Sequence, residues 1–147
     1  MNLNGIWDFH FAERKFPEDI NREQIIFDEI AIVPSCFDAA PVHLYRRGTG
    51  IYRKKILCGG RCKLELEGMG LRGSVWFDGK KIGDIFCAFT DSVFRFDAGD
   101  KREHEIVIFC CNLFEQTPET QFREFFDFYA YGGIYRNVLL IETDVLL

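Results

Sequence analysis

Apolar and polar residues alternate with a period of two along most of the chain, and this alternation is the strongest constraint on its fold. Residues 63–67 alternate without interruption, and residues 75–78 do so before the dipeptide Asp78-Gly79. Because successive side chains of a β-strand point to opposite faces, the pattern predicts strands with one buried face. Asp-Gly between two such runs is typical of a tight hairpin.

Further strands are predicted where alternating runs lie between Gly, Pro, Asn and Asp residues. These runs cover residues 5–11, 29–33, 50–57, 92–96, 105–111 and 134–143. Residues 16–25 could form a helical turn or two, but Pro17 and Asn21 weaken that pattern. A set of about eight or nine short strands with almost no helix predicts an all-β fold, either a β-sandwich or a jelly roll.

Length and charge limit the domain count and the classes of partner. The 147 residues suffice for one domain with a substantial core, and no repeat or linker divides them, so we predict a single domain over residues 1–147. The net charge of -5, without a basic block, argues against nucleic-acid and anionic-membrane partners. Residues 1–5 lack the features of a signal peptide, and no apolar run approaches the roughly 20 residues of a membrane span. We expect a cytoplasmic chain.

The six cysteines are not spaced like a disulfide framework or a metal site. Cys110 and Cys111 are neighbours in a predicted strand, so their side chains point to opposite faces. Cys58 and Cys62 flank a glycine pair, and no histidine lies at ligand spacing from a cysteine pair. We expect reduced thiols that pack among apolar side chains, and no zinc site.

The run Asp-Phe-Tyr-Ala-Tyr-Gly-Gly-Ile-Tyr-Arg-Asn-Val, residues 127–138, places a carboxylate, tyrosines, a glycine pair and an arginine at the start of a strand. The pair Gly132-Gly133 can adopt positive φ angles and lets the backbone pass close to another surface. The run resembles the Asp-Phe-x-x-Tyr-Gly-Gly-Ile-Tyr-Arg-x-Val segment in the N-terminal sugar-binding domain of glycoside hydrolase family 2, the β-galactosidase and β-glucuronidase family.

Four further segments resemble the same family in the same order. Residues 3–9 are similar to its opening Leu-x-Gly-x-Trp-x-Phe, and residues 33–37 are similar to its Val-Pro-Gly-Ser-Trp, with phenylalanine in place of the tryptophan. Residues 45–54 resemble Tyr-x-Gly-x-x-Trp-Tyr-Arg-Arg, and residues 75–83 resemble Val-Trp-Val-Asn-Gly-x-x-Val-Gly. The resemblance covers nearly the whole chain and implies a jelly roll of the galactose-binding-domain-like type.

The resemblance implies that the chain is the N-terminal domain of a β-glycosidase of carbohydrate metabolism. Retaining glycosidases use two carboxylates, and in this family both belong to a later (β/α)8 barrel, the acid in an Asn-Glu pair. This chain has no Asn-Glu dipeptide and ends at Leu147. We therefore expect the barrel to be absent, assign no catalytic residue, and expect the isolated chain to be inactive although its parent protein is a glycoside hydrolase. The partners implied are a β-glycoside and the barrel.

The resemblance also implies which residues reach the sugar. The aspartate that matches Asp127 extends toward the active site of the barrel and contacts sugar hydroxyls, and in β-galactosidases it also helps to hold a sodium ion. A carboxylate can accept two strong hydrogen bonds from adjacent hydroxyls. Tyr131 is assigned to substrate binding with it, and Phe128 and Tyr129 are further candidates. The structural alternative for Asp127 is a carboxylate that caps a turn or pairs with a nearby arginine.

Structural roles are predicted for Gly132, Gly133, Arg136, Trp76 and Gly79. Arg136 could hold loop carbonyls or a carboxylate. Trp76, like Trp7 and Phe77, lies among apolar residues of a strand, which favours packing in the core over a platform for sugars.

The segment of residues 112–131 has no regular pattern and is rich in aromatic residues. Such a segment could cover the end of the sandwich, dock onto a barrel, or stack on sugar rings. A structural calcium ion near Asp91, Asp97 and Asp100 is a further possibility, although no fixed ligand spacing supports it. The alternative function for the whole chain is a free-standing carbohydrate-binding or protein-interaction sandwich.

Overall fold

Antiparallel β-strands make up nearly all of the regular structure. The computed structural model describes residues 1–86, 89–113 and 131–143. Its strands are β1 (Gly5–Glu13), β2 (Glu29–Val33), β3 (Gly48–Cys58), β4 (Arg61–Leu66), β5 (Met69–Gly70), β6 (Arg72–Phe77), β7 (Lys80–Ile85), β8 (Ser92–Asp97), β9 (Arg102–Cys111), β10 (Gly133–Ile134) and β11 (Val138–Thr143). Within these ranges the helical residues are single 3-10 turns at Pro17–Asp19, Arg22–Gln24, Phe37–Ala39 and Pro41–His43. No helix in this part of the chain is long and apolar enough to cross a membrane.

Two sheets form a sandwich. The larger sheet has the strand order β2-β1-β3-β9-β6-β7, and the smaller one has the order β11-β4-β8. A short ladder joins β10 to β5. Every named strand pair is antiparallel. The predicted all-β sandwich is therefore confirmed.

The main core lies between the two sheets, because each sheet turns alternate side chains toward the other. The larger sheet contributes Trp7, Phe9, Tyr52, Val75, Ile106 and Ile108, and the smaller sheet contributes Leu64, Leu66, Phe94, Val138 and Leu140. A second, smaller cluster of Ile51, Val107 and Phe109 lies on the outer face of the larger sheet. Side chains from residues 20–27 cover it. Strands β3 and β9 are thus buried on both faces.

Most strand predictions agree with the structure to within a few residues. Two details differ: residues 134–143 are divided into β10 and β11, and the short strand β5 was not predicted. The weak helical pattern of residues 16–25 corresponds to two 3-10 turns. Five cysteines lie in the described ranges; four of them, Cys58, Cys62, Cys110 and Cys111, are buried, and Cys36 is half-buried.

The prediction of core packing is wrong for one of the three aromatic residues. Trp7 and Phe77 are buried in the main core. Trp76 instead lies half-buried beside the outer cluster. The alternation of residues 72–77 turns its side chain away from the core between the sheets.

Side chains of the central strand β9 should contribute more to the free energy of unfolding than those of the edge strand β2. Ile108 is fully buried between the sheets, whereas Ile32 on the edge strand β2 is 62% exposed. We expect Ile108→Ala to lower the free energy of unfolding by about 2–5 kcal/mol, because it removes buried methyl groups and leaves a cavity. The matched variant Ile32→Ala should change it by less than about 0.5 kcal/mol. Urea denaturation measures both, and equal losses in the two variants would contradict this description of the core.

Candidate functional site

The candidate site is the segment that carries Asp127, together with the two chain flanks that hold it. Asp127, Phe128 and Tyr129 lie outside the described residues. The flanks are described: one follows β9 at Asn112, and the other precedes β10 at Gly132. The described part of the site consists of these two flanks and the residues that hold them.

One buried carboxylate binds both flanks. Asp38 lies in the 3-10 turn Phe37–Ala39 and has no exposed surface. Its Oδ2 accepts hydrogen bonds from the backbone N–H of Gly132 at 2.9 Å and from Nδ2 of Asn112 at 2.7 Å. We call Asp38, Asn112 and Gly132 the loop base, because residues 114–130 leave and return through it.

Asn112 continues the pairing of β9 with β3 by one residue beyond the end of β9, through its side chain and its backbone. Its Oδ1 accepts from the backbone N–H of Gly48 at 2.7 Å, and its backbone N–H donates to the Gly48 carbonyl at 3.0 Å. Its Nδ2 also donates to the carbonyl of Arg46 at 2.9 Å, and its carbonyl accepts from Nη1 of Arg47 at 3.0 Å. All the polar groups of this buried residue therefore have partners, as burial requires.

The glycine pair is needed for this close approach. A Cβ atom on Gly132 would lie 2.5 Å from Cβ of Asn112 and 2.8 Å from Cζ of Phe37. Gly133 has a φ of +121°, and a Cβ there would lie 2.7 Å from the Ser35 carbonyl oxygen. Its N–H donates to Sγ of Cys110 at 3.1 Å. Side chains at these two positions would push the returning flank away from the loop base.

Burial of Asp38 in the loop base disfavours the charged form of its carboxyl group. Desolvation raises the pKa of Asp38 above its ordinary value, and the hydrogen bonds from Gly132 and Asn112, together with the charge of Arg47, oppose this rise only in part. Oδ1 of Asp38 is buried and has no hydrogen-bond partner among the described residues. Ionised Asp38 is therefore costly, and its two donors offset part of that cost.

Exposed apolar and aromatic side chains adjoin the loop base. The backbone N–H of Tyr45 donates to the Asp38 carbonyl at 3.0 Å. Val42, Leu44 and Tyr45 are 65%, 48% and 60% exposed. Tyr131 is half-buried; desolvation raises its pKa, and the neighbouring Tyr45 raises it further. We name Val42, Leu44, Tyr45 and Tyr131 the docking surface, for the role that is proposed for them below.

The remaining predicted motif residues lie in two other places. Arg136 is exposed, and its side chain passes beside Gly68 between β4 and β5. Trp76 and Gly79 belong to β6 and its turn to β7, with Gly79 at a φ of +80°. The structure thus brings Tyr131, Gly132 and Gly133 together at the loop base and places Arg136, Trp76 and Gly79 elsewhere.

The turn between β6 and β7 has a polar network of its own. Oδ2 of Asp78 lies 2.6 Å from Nδ1 of His104, a side chain with no exposed surface. Oδ1 accepts from the backbone N–H of Glu105 at 2.9 Å. Burial acts to raise the pKa of Asp78, but the hydrogen bonds from His104 and Glu105 and the charge of Arg102 lower it overall. The network ties the hairpin turn to β9 and is structural.

Metal binding has no support in the described part of the chain. Within residues 1–86, 89–113 and 131–143, no group of three His, Cys, Asp or Glu side chains could hold a metal ion. Asp91, Asp97 and Asp100 therefore do not form such a group. The suggested sodium position near Asp127 falls outside the described residues.

Folding raises the pKa of Asp38 and lowers that of Asp78, so the two carboxyl groups should change stability with pH in opposite directions. Because the pKa of Asp38 is raised on folding, its contribution to stability is fully present below its ordinary value of 3.8 and is lost as the pH rises through the raised pKa. We expect the free energy of unfolding of Asp38→Asn, relative to wild type, to increase as the pH rises above 3.8. Asparagine can still accept from Gly132 and Asn112.

Asp78→Asn is the matched control for this titration. The pKa of Asp78 is lowered, so its contribution is present above 3.8 and is lost as the pH falls through the lowered pKa. The free energy of unfolding of this variant, relative to wild type, should decrease with rising pH. Urea denaturation over a pH series measures both differences, and slopes of the same sign would contradict the environment described for Asp38.

Comparisons with known proteins find similar folds among solved structures. No protein-family model matches the chain, and no curated protein sequence matches it. Among solved structures, the chain is similar to a GH2 β-galacturonidase from Eisenbergiella tayi bound to galacturonate, with a TM-score of 0.81 and 26% identity over 97% of this chain and 24% of that one.

Two β-glucuronidases share the fold at lower sequence identity. The enzyme from Faecalibacterium prausnitzii has a TM-score of 0.77 and 18% identity, over 95% of this chain and 30% of that one. The enzyme from an uncultured Clostridium species has a TM-score of 0.74 and 21% identity, over 95% and 28%. The chain therefore spans about a quarter to a third of the length of these enzymes, and its resemblance to a domain of glycoside hydrolase family 2 is confirmed.

Proposed function

We propose that this chain, which resembles the N-terminal domain of glycoside hydrolase family 2, is the non-catalytic domain of a β-glycosidase and supplies one loop to its sugar site. The segment concerned is residues 114–130, which carries Asp127 and is followed directly by Tyr131. The observation that carries the proposal is the loop base, which fastens both flanks of that segment to the single carboxylate of Asp38. A loop held at both flanks can present a side chain to a neighbouring domain in a reproducible position.

The share of the solved enzymes that the chain covers supports a role within a larger protein. It spans 24% of the galacturonidase and 30% of one glucuronidase. The two carboxylates of retaining hydrolysis would then belong to a barrel outside this chain. The contribution of this domain would be to shape the entrance of the barrel and to orient the substrate.

The exposed apolar side chains of the docking surface support the proposed contact with the barrel. Val42, Leu44 and Tyr45 expose apolar groups, and the backbone N–H of Tyr45 donates to the carbonyl of Asp38 in the loop base. Exposed apolar side chains grouped in this way often mark an interaction surface. Because the docking surface adjoins the flanks of residues 114–130, a barrel that covered it would also face the segment that carries Asp127.

Asp127 and Tyr131 would share the polar contacts to the sugar. The carboxylate of Asp127 can accept hydrogen bonds from two neighbouring hydroxyls, and the phenol of Tyr131 can donate or accept one. The similar enzymes are a β-galacturonidase and β-glucuronidases. We propose β-linked hexuronides as the first substrates to test, and other β-glycosides after them.

The proposal requires a native product larger than this chain. Capture with an antibody against the domain, followed by mass spectrometry, should yield a chain several times heavier than 17.2 kDa. A captured chain of 17.2 kDa would contradict the proposal and favour the alternative, a free-standing carbohydrate-binding or protein-interaction sandwich.

In the complete protein, Asp127→Asn should lower kcat/KM for 4-nitrophenyl β-glucuronide or β-galacturonide by about tenfold or more. The reason is that a charged acceptor of sugar hydroxyls contributes roughly 1.5–3 kcal/mol. The matched control is Asp91→Asn, which changes an exposed carboxylate. The role of Asp127 would be contradicted by equal kcat/KM values in wild type and Asp127→Asn, and the enzyme assignment by a complete protein that hydrolyses no β-glycoside.

A further inference from the structure

A separate cleft lies on the outer face of the larger sheet. Its floor is formed by β6 and β9, one side by β7, and its roof by the 3-10 turns Pro17–Asp19 and Arg22–Gln24. Its volume of about 410 Å³ falls within the range of small-molecule sites, roughly 300–1,000 Å³. None of the residues that line this cleft belongs to the proposed sugar site.

The floor of the cleft combines an aromatic ring with a hydroxyl. Ser74 and Trp76 are two residues apart on β6, and Nε1 of Trp76 donates to Oγ of Ser74 at 3.0 Å. The ring centroids of Trp76 and Phe109 are 6.3 Å apart. Ile20 packs against the same outer cluster. The cleft thus offers an apolar wall, together with a serine hydroxyl whose proton can be donated to a ligand.

One positive charge in the cleft lacks a carboxylate partner among the described residues. Arg72 pairs with Glu18 at 2.8 Å, and Lys81 pairs with Asp84 at 2.7 Å. The guanidinium carbon of Arg22 instead lies 4.0 Å from the centroid of the Trp76 ring. Stacking on the indole holds this planar cation in place.

We propose that the cleft binds a small organic monocarboxylate, with its charged group on Arg22 and its apolar body against Trp76, Phe109 and Ile20. A guanidinium fork matches the geometry of a carboxylate and can bind it through two hydrogen bonds. Glu18, Glu23 and Asp84 also line the cleft. These acidic side chains disfavour a doubly charged phosphate more strongly than a singly charged carboxylate.

The chain has two tryptophans, and only one of them lies at the cleft, so their indole N–H signals can separate binding in the cleft from other effects. Trp7 is buried, and its Nε1 donates to the Leu3 carbonyl at 2.8 Å, whereas Nε1 of Trp76 lies at the cleft. In ¹⁵N-labelled chain titrated with benzoate, the Trp76 indole signal should shift and saturate, with a dissociation constant on the order of 1 mM. The Trp7 signal should not move. Benzamide, a neutral analogue, and inorganic phosphate should each bind at least about tenfold more weakly.

Arg22→Gln should weaken benzoate binding by about tenfold or more, because it removes the charge and the guanidinium fork and leaves a shorter, neutral polar side chain. The matched control is Arg95→Gln, which changes an exposed arginine on β8 of the other sheet and should bind like wild type. Thermal melting of both variants checks that they are folded. The proposal is overturned if the wild-type Trp76 signal does not saturate, if benzamide or phosphate binds as tightly as benzoate, or if folded Arg22→Gln binds like wild type.

Discussion

The carboxylate of Asp38 is the contact that holds both flanks of the candidate site. A carboxylate with no exposed surface loses the hydration that stabilises its charge, so it needs hydrogen-bond donors inside the protein. Two of its donors come from chain segments that are twenty residues apart in sequence, Asn112 and Gly132. Because the same atom accepts both hydrogen bonds, the two flanks of residues 114–130 cannot move apart without the loss of at least one of them.

The sandwich places this contact at the end of its most buried strand. β9 pairs with β3 on one side and with β6 on the other, and both of its faces are covered. Asn112 follows β9 directly and continues its pairing with β3 through Gly48. The loop base is therefore attached to the centre of the larger sheet, and the docking surface lies beside it. The proposed function depends on this arrangement.

The sequence predicted the fold well because period-two alternation is a local signal. β2 was located at residues 29–33, and the hairpin turn at Asp78-Gly79 was identified from its residues alone. The two-residue ladder of β5 and β10 was not predicted, because a run of two residues is too short to show a period. Trp76 was predicted in the main core, but it lies beside the outer cluster. Alternation shows that a strand has two faces, but it does not show that residues 20–27 cover the outer one. The pairing of Asp38 with Asn112 spans 74 positions, and no local pattern reveals it.

Amide hydrogen exchange measured residue by residue tests the loop base most directly. The N–H groups of Gly132 and Gly48 donate to the side chains of Asp38 and Asn112, and neither group belongs to the interior of a strand. If the buried contact holds both flanks, these two amides should be protected to within about tenfold of the amides of Ile106 and Ile108 in β9. Exchange of Gly132 and Gly48 at the rate of an exposed loop would contradict the account, because the flanks would then open independently of the sandwich.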